Sequence, residues 1–279
     1  MIPSPTVQEL IARYDLEPSL QDIYVEGVFD RDLLRKVCAE SGFVDRIVYE
    51  INVVDIPYDY LAKYNLTEGN KQRVIALAKE LAIINKDCKY SCVVDRDLDH
   101  WFGKVDNVPR LYWTEFCSME LYFFNEEFIK NSLMYTLGCK IEFWGDFFIS
   151  FVDVLKKLYA LRLCDYDLQL NMIWVSIEKN IVPKDKGMIF KVDDYIGKLL
   201  NRNAIIHKKY ALESSYDVWL GKLAGDPRLW IRGHDFIDLL VWVLKNYRGV
   251  KEVSNEVVVQ RLLIGSTRDI DNIIGVLNC

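Results

Sequence analysis

The chain has 279 residues, of which 51% are hydrophobic and 13% aromatic, and a formal net charge of −6. That apolar content can bury a core without staples, which excludes intrinsic disorder, and the length suits roughly two domains. No apolar run reaches the roughly 18 uncharged residues of a membrane span, and the opening MIPSPTVQELIARYDLEPS lacks the basic-then-apolar layout of a signal peptide, so a soluble cytoplasmic protein with no membrane role is expected.

The chain opens with a predicted helix over 5–15, capped by Thr6 with Glu9 three positions on. DIYVEG (22–27) reads as a buried strand that ends in an acid and a glycine. Apolar residues at 29, 33, 34 and 37 and a stop at Gly42 predict a helix over 29–42. A β-branched strand over 46–56, a helix over 69–85 and a strand over 89–95 follow. Strand, helix, strand, helix, strand at this spacing predicts right-handed crossovers and a parallel sheet. LYWTEF (111–116) is a fourth strand or extended link, and 117–138 reads as one or two helices broken near Asn125. Beyond 145 the pattern is mainly helical, over 146–163, 193–202, 213–223, 234–247 and 255–264, with strand candidates at 172–178 and 187–192. The fold class expected is α/β, with a domain built on the parallel sheet over 1–140 and a mainly helical domain over 141–279.

The seven cysteines (38, 88, 92, 117, 139, 164 and 279) are odd in number and mostly lie in apolar stretches, as buried thiols of a reducing compartment do. Cys88 and Cys92 are spaced C-x3-C, but no second pair completes a zinc motif. Charge is unevenly divided. Residues 1–159 carry 18 Lys/Arg against 26 Asp/Glu, and 160–279 carry 17 against 15. Binding of a polyanion should therefore rely on the second half or on bound metal.

Three carboxylates each follow an apolar strand: Glu26 closes IYVE, and Asp95 and Asp97 close CVVDRD. Sites on open parallel sheets form beyond the carboxyl ends of the strands. Alternation would put Asp95 and Asp97 on one face, and Glu26 would face them if the first and third strands are neighbours. Three such acids repel one another unless a divalent cation neutralises them, and oxygen-only ligands suit Mg²⁺ or Mn²⁺. Taken alone, D-x-D also caps turns, and D-R-D-L-D is equally a solvated acidic loop.

VEGVFD followed by VVDRDLD resembles the Toprim fold, shared by primases, topoisomerases and OLD-type nucleases. WTEFCSMELYFFNEEF resembles the segment that follows the D-x-D in OLD-type and stand-alone Toprim proteins, and RGHDFIDLL (232–240) resembles their C-terminal G-H/K-D motif. Length, motif order and the helical second half are similar to the Toprim effectors of PARIS anti-phage systems. The resemblance implies a Rossmann-like Toprim domain whose catalytic Mg²⁺ (or Mn²⁺) is held by Glu26, Asp95 and Asp97, with Glu120 as a second glutamate. It further implies an endonuclease held by a separately encoded ABC/OLD-type ATPase, released to cleave host tRNA, and homodimeric when free. Where OLD-type enzymes place a lysine, this chain offers Arg232 and His234, so His234 is the further catalytic candidate.

The chain has no room for a topoisomerase tyrosine domain or a primase zinc ribbon, and no G-x-x-x-x-G-K-[ST]. A haloacid-dehalogenase-like phosphatase is disfavoured, because its D-x-D ends the first strand rather than the third. An OLD-like DNA endonuclease and a non-catalytic, metal-stabilised interaction module remain as alternatives. His100 and His207 read as structural. His207, Lys208 and Lys209, with Lys184, Lys186, Lys191, Lys198 and Arg202, form either a phosphate-tracking surface or a solvated face. Trp219, Trp230 and Trp242 read as core.

Overall fold

The structure, a computed structural model, describes residues 4–266. The chain divides into two compact units, one of 4–119 with 262–266, the other Glu120–Arg261.

In the first unit Thr6 caps α1 (Val7–Leu16) in a capping box. Its hydroxyl accepts the Glu9 amide at 3.3 Å, and the Glu9 carboxylate accepts the Thr6 amide at 2.7 Å. Strands β1 (Gln21–Val25), β2 (Arg46–Glu50), β3 (Ser91–Val94) and β4 (Leu111–Trp113) form a sheet in the order β2-β1-β3-β4, parallel throughout. β1 and β3 are neighbours, so their carboxyl ends open at one place. The crossover helices are α2 (Val28–Glu40), which packs on β2, and α4 (Asn70–Leu81), which packs on β3. A short α3 (Tyr58–Lys63) precedes α4.

The β2 segment leaves the sheet after Glu50, six residues short of its expected end. Ile51, Val54 and Ile56 join the core formed by α1 and α4 instead of pairing in the ladder. Val74, Leu77, Ala78 and Leu81 of α4 are all but inaccessible, as the 3.6-residue period requires. Asp22, Asp30 and Glu80 are buried acids of this unit. Asp22 accepts from the Tyr14 hydroxyl at 2.7 Å and pairs with Arg13 at 3.2 Å, which satisfies a charge that would be costly alone.

The second unit contains α5 (Glu126–Lys130), a π-helical stretch (Asn131–Thr136), α6 (Trp144–Asp167), α7 (Val192–Arg202), α8 (Lys209–Lys222) and α9 (Gly233–Asn246). Asn125 breaks the aromatic stretch as its position predicts, accepting the Phe128 amide at 3.1 Å as the cap of α5. α10 (Glu256–Gly265) ends the described chain. A two-residue turn joins β5 (Ile181–Lys184) to β6 (Gly187–Phe190) in an antiparallel hairpin.

The strand expected over 172–178 is absent. There Met172 N–H bonds to the Asp165 carboxylate, Ile173 bonds at both N–H and C=O to the Asn203 amide, and the Val175 carbonyl accepts from the Tyr195 hydroxyl. Side chains satisfy this backbone where a neighbouring strand would have done so. Trp219, Trp230 and Trp242 are buried, as expected of core residues. Six cysteines are buried, and burial pushes the Cys139 and Cys164 thiols up to about 11; Cys279 lies outside the described residues. Among the described residues no helix is long and apolar enough to cross a membrane.

Candidate metal centre

Glu26 lies one residue past β1, and the Asp95–Asp97 run begins one residue past β3, its strand neighbour. The structure brings the first two together directly: Glu26 Oε1 accepts the backbone N–H of Asp95 at 2.7 Å. Asp95 Oδ1 in turn accepts the Met119 N–H at 3.1 Å. Asp97 does not continue the strand. Its φ is +43°, a left-handed conformation that aspartate tolerates better than most side chains, and its N–H donates to the Cys117 carbonyl at 2.7 Å. The alternation expected to align Asp95 and Asp97 therefore does not operate, because β3 ends at Val94 and the chain turns.

A second stitch holds the acidic loop. The buried Thr114 hydroxyl accepts the Arg96 N–H at 3.0 Å and donates to the Phe116 carbonyl at 2.7 Å. Three hydrogen bonds thus tie residues 95–97 to the loop 114–119, so the acids sit on a braced turn at the carboxyl edge of the sheet.

The cation among these acids is Lys71, in the first turn of α4. Its Nζ lies 2.9 Å from Asp97 Oδ2 and 2.5 Å from Asp99 Oδ2, and 5.3 Å from the centre of the Trp113 ring. Its side chain is only 12% exposed. Burial by itself would lower the Lys71 pKa; the Asp97 and Asp99 carboxylates, with Glu26, outweigh that and raise it above the ordinary value. Lys71 is therefore held in its charged form. The preceding Asn70 donates from Nδ2 to the Glu26 carbonyl at 2.8 Å, which fixes the start of α4 beside the acids. The N-terminal ends of α2 and α4 both lie here and favour negative charge.

The donor chemistry fits a hard divalent cation. Four half-buried carboxylates (Glu26, Asp95, Asp97, Asp99) stand at the ends of β1 and β3 and in the loop beyond, two of them paired with the Lys71 ammonium, and the Ser118 hydroxyl in the bracing loop is buried with no hydrogen-bond partner. In the arrangement observed, however, Asp97 is turned to Lys71, and among the described residues no group of three or more His, Cys, Asp or Glu side chains converges as a metal cage would.

Glu120 and His234 belong to the second unit. Glu120 is buried in a 3-10 turn, Met119–Phe123. His234 is exposed in the first turn of α9, while the next residue, Asp235, is buried and bidentate to Arg162 at 2.7 and 2.6 Å, with Arg232 at 3.9 Å. The G-H-D run therefore anchors a helix start through its aspartate and presents its histidine. His207 is exposed, and His100 packs against Trp101 with ring centres 5.3 Å apart.

Sequence reasoning missed Lys71. Its signal was a lysine in the first turn of a helix, where the positive end of the dipole disfavours it, so that something acidic must hold it. Compared with known proteins, the chain matches no protein-family model and no curated sequence.

Proposed function

We propose that this chain is a metal-dependent nuclease of Toprim type. Its acids Glu26, Asp95 and Asp97 would hold Mg²⁺ or Mn²⁺, with Glu120 and His234 added by the motif resemblance. The observation that carries the reading is the meeting of Glu26 with the Asp95 loop at the carboxyl ends of two adjacent parallel strands, where a doubly wound sheet opens to its ligand. When bound, a divalent cation supplies charge neutralisation at the scissile phosphate and acidifies water. The chain's own part is to hold the carboxylates in place. The braced loop fixes Asp95 and Asp97, and the helix N-termini offset their charge.

The substrate proposed is host tRNA, cut when the chain is released from a separately encoded OLD-type ATPase in anti-phage defence. This rests on the likeness to PARIS effectors. It is supported by an exposed surface in the second unit, where Tyr210, 83% exposed, follows His207, Lys208 and Lys209. Aromatic side chains among cations are what single-stranded RNA loops stack upon.

A second reading takes the acids as a stabilising site without catalysis, and the use of Glu26 Oε1 and Asp95 Oδ1 as acceptors of the Asp95 and Met119 backbone N–H groups favours it. Incubating the purified protein with total tRNA and with plasmid DNA, with and without Mg²⁺, tests both. We expect Mg²⁺-dependent cuts at a few positions in tRNA, duplex DNA spared, and no cleavage by E26Q, with its circular dichroism unchanged. Cleavage by E26Q at the wild-type rate would remove Glu26 from the site. Loss of folding in E26Q, with no cleavage by the wild type, would favour the stabilising role. Co-expression with the neighbouring ATPase gene should yield a complex, and the freed chain should sediment as a dimer.

A further inference from the structure

Lys71 has no place in the motif set, yet it is the most deeply committed side chain of the acidic cluster. An ammonium at 12% exposure must be held by counter-charge, and two carboxylates do so, one inside the D-x-D and one beyond it. A divalent ion ligated by Asp97 would lie beside this ammonium, which stands 2.9 Å from Asp97 Oδ2, and two cations so close on one carboxylate repel each other. We propose that Lys71 is an internal counter-ion that competes with the divalent cation for Asp97, so that the site admits the ion only by letting the ammonium go. The inference rests on the metal reading above.

It also gives Asp99 a task. With Asp97 taken by the ion, Asp99 and the face of Trp113 remain as a seat for the displaced ammonium, at 2.5 Å and 5.3 Å in the present arrangement. Lys71 would then swing on a short arc rather than leave the site. No bond is made or broken; one single charge gives way to a double one. The device keeps the acids neutralised when no metal is bound, and it sets a threshold on metal entry.

The test is Mn²⁺ binding to the full chain, read as free Mn²⁺ by electron paramagnetic resonance, for wild type, K71M and K71R. K71M removes the competitor and should bind Mn²⁺ on the order of tenfold more tightly, with K71R close to wild type. In the wild type, saturating Mn²⁺ should raise the acylation of Lys71 by an amine-reactive reagent, read by peptide mass spectrometry, a measurement that needs no variant to fold. Folded K71M with wild-type or weaker affinity, or Lys71 acylation unmoved by Mn²⁺, would overturn the competition and leave the metal site standing. Absence of Mn²⁺ binding at millimolar concentration in both wild type and K71M would overturn the metal reading and this inference together.

Discussion

Two aspartates three residues apart on α9 behave oppositely toward protons, and the reason is their neighbours. Burial would raise the Asp235 pKa, but the bidentate Arg162 outweighs it and holds the carboxyl below the usual aspartate range. Its contribution to stability is present above the ordinary aspartate pKa and is lost as pH falls through the lowered folded value. Asp235→Ala strands the Arg162 charge, at 15% side-chain exposure, and should cost about 3–5 kcal/mol in urea unfolding at pH 7. A loss under about 1 kcal/mol would show that the pair contributes little. Asp238, by contrast, is pushed up to about 6 by desolvation and by Glu256. Its protonated form is favoured in the fold, so the stability it contributes is present below the ordinary aspartate pKa and is lost as pH rises through about 6. Asp238→Asn should therefore raise the melting temperature at pH 7.5 and leave it unchanged at pH 4; a shift of equal size at both would refute the protonation argument. At this scale the sequence displays which acids follow strands, but neither the bracing of Asp97 at positive φ nor the partner of Asp235, 73 residues away, can be read from local pattern.

Elements were legible where a period had room to repeat. The helices of the second half and the first, third and fourth strands of the sheet lie where apolar spacing put them, whereas the second begins there and stops at Glu50 with only Val48 buried. Misses are short or borrowed. α3 has six residues, less than two turns, so its period cannot declare itself. β5 carries Pro183 and escaped notice, since proline argues against a strand interior; a two-stranded hairpin has only edges, and there proline is tolerated. The 172–178 run has strand composition but fills its hydrogen bonds from Asp165, Asn203 and Tyr195. The hairpin also yields a prediction. Gly187 opens β6 at φ +138°, and a Cβ there would run into the Ser150 hydroxyl and lie 3.1 Å from the Asp146 carbonyl of α6. Gly187→Ala combines a disfavoured backbone with overpacking and should cost about 1–3 kcal/mol in thermal or urea unfolding. Wild-type stability would mean that α6 yields easily.

For the molecule as a whole, charge decides what kind of nucleic acid the proposed nuclease could hold. Residues 1–159 carry eight more acids than bases, whereas 160–279 carry two more bases than acids. Duplex DNA is held chiefly by many phosphate contacts, each releasing counter-ions, and a chain of net charge −6 is poorly built for it. A folded RNA with an exposed loop asks for fewer phosphates and gains from stacking, about 1–3 kcal/mol per base. The exposed run His207, Lys208, Lys209 and Tyr210 has that composition. Binding measured with the cleavage-deficient E26Q should therefore favour tRNA over linear duplex DNA. It should also show a shallow salt dependence, equivalent to roughly three or four phosphates at about 0.7 per phosphate in log–log slope. Reversing Lys208 and Lys209 to glutamate should weaken tRNA binding by on the order of tenfold and flatten that slope. Mn²⁺ affinity should not change, because neither lysine is among the proposed metal ligands. A slope steeper than six phosphates with equal affinity for duplex DNA would favour the DNA endonuclease. An unaltered tRNA affinity in the double reversal would move the RNA surface elsewhere on the chain.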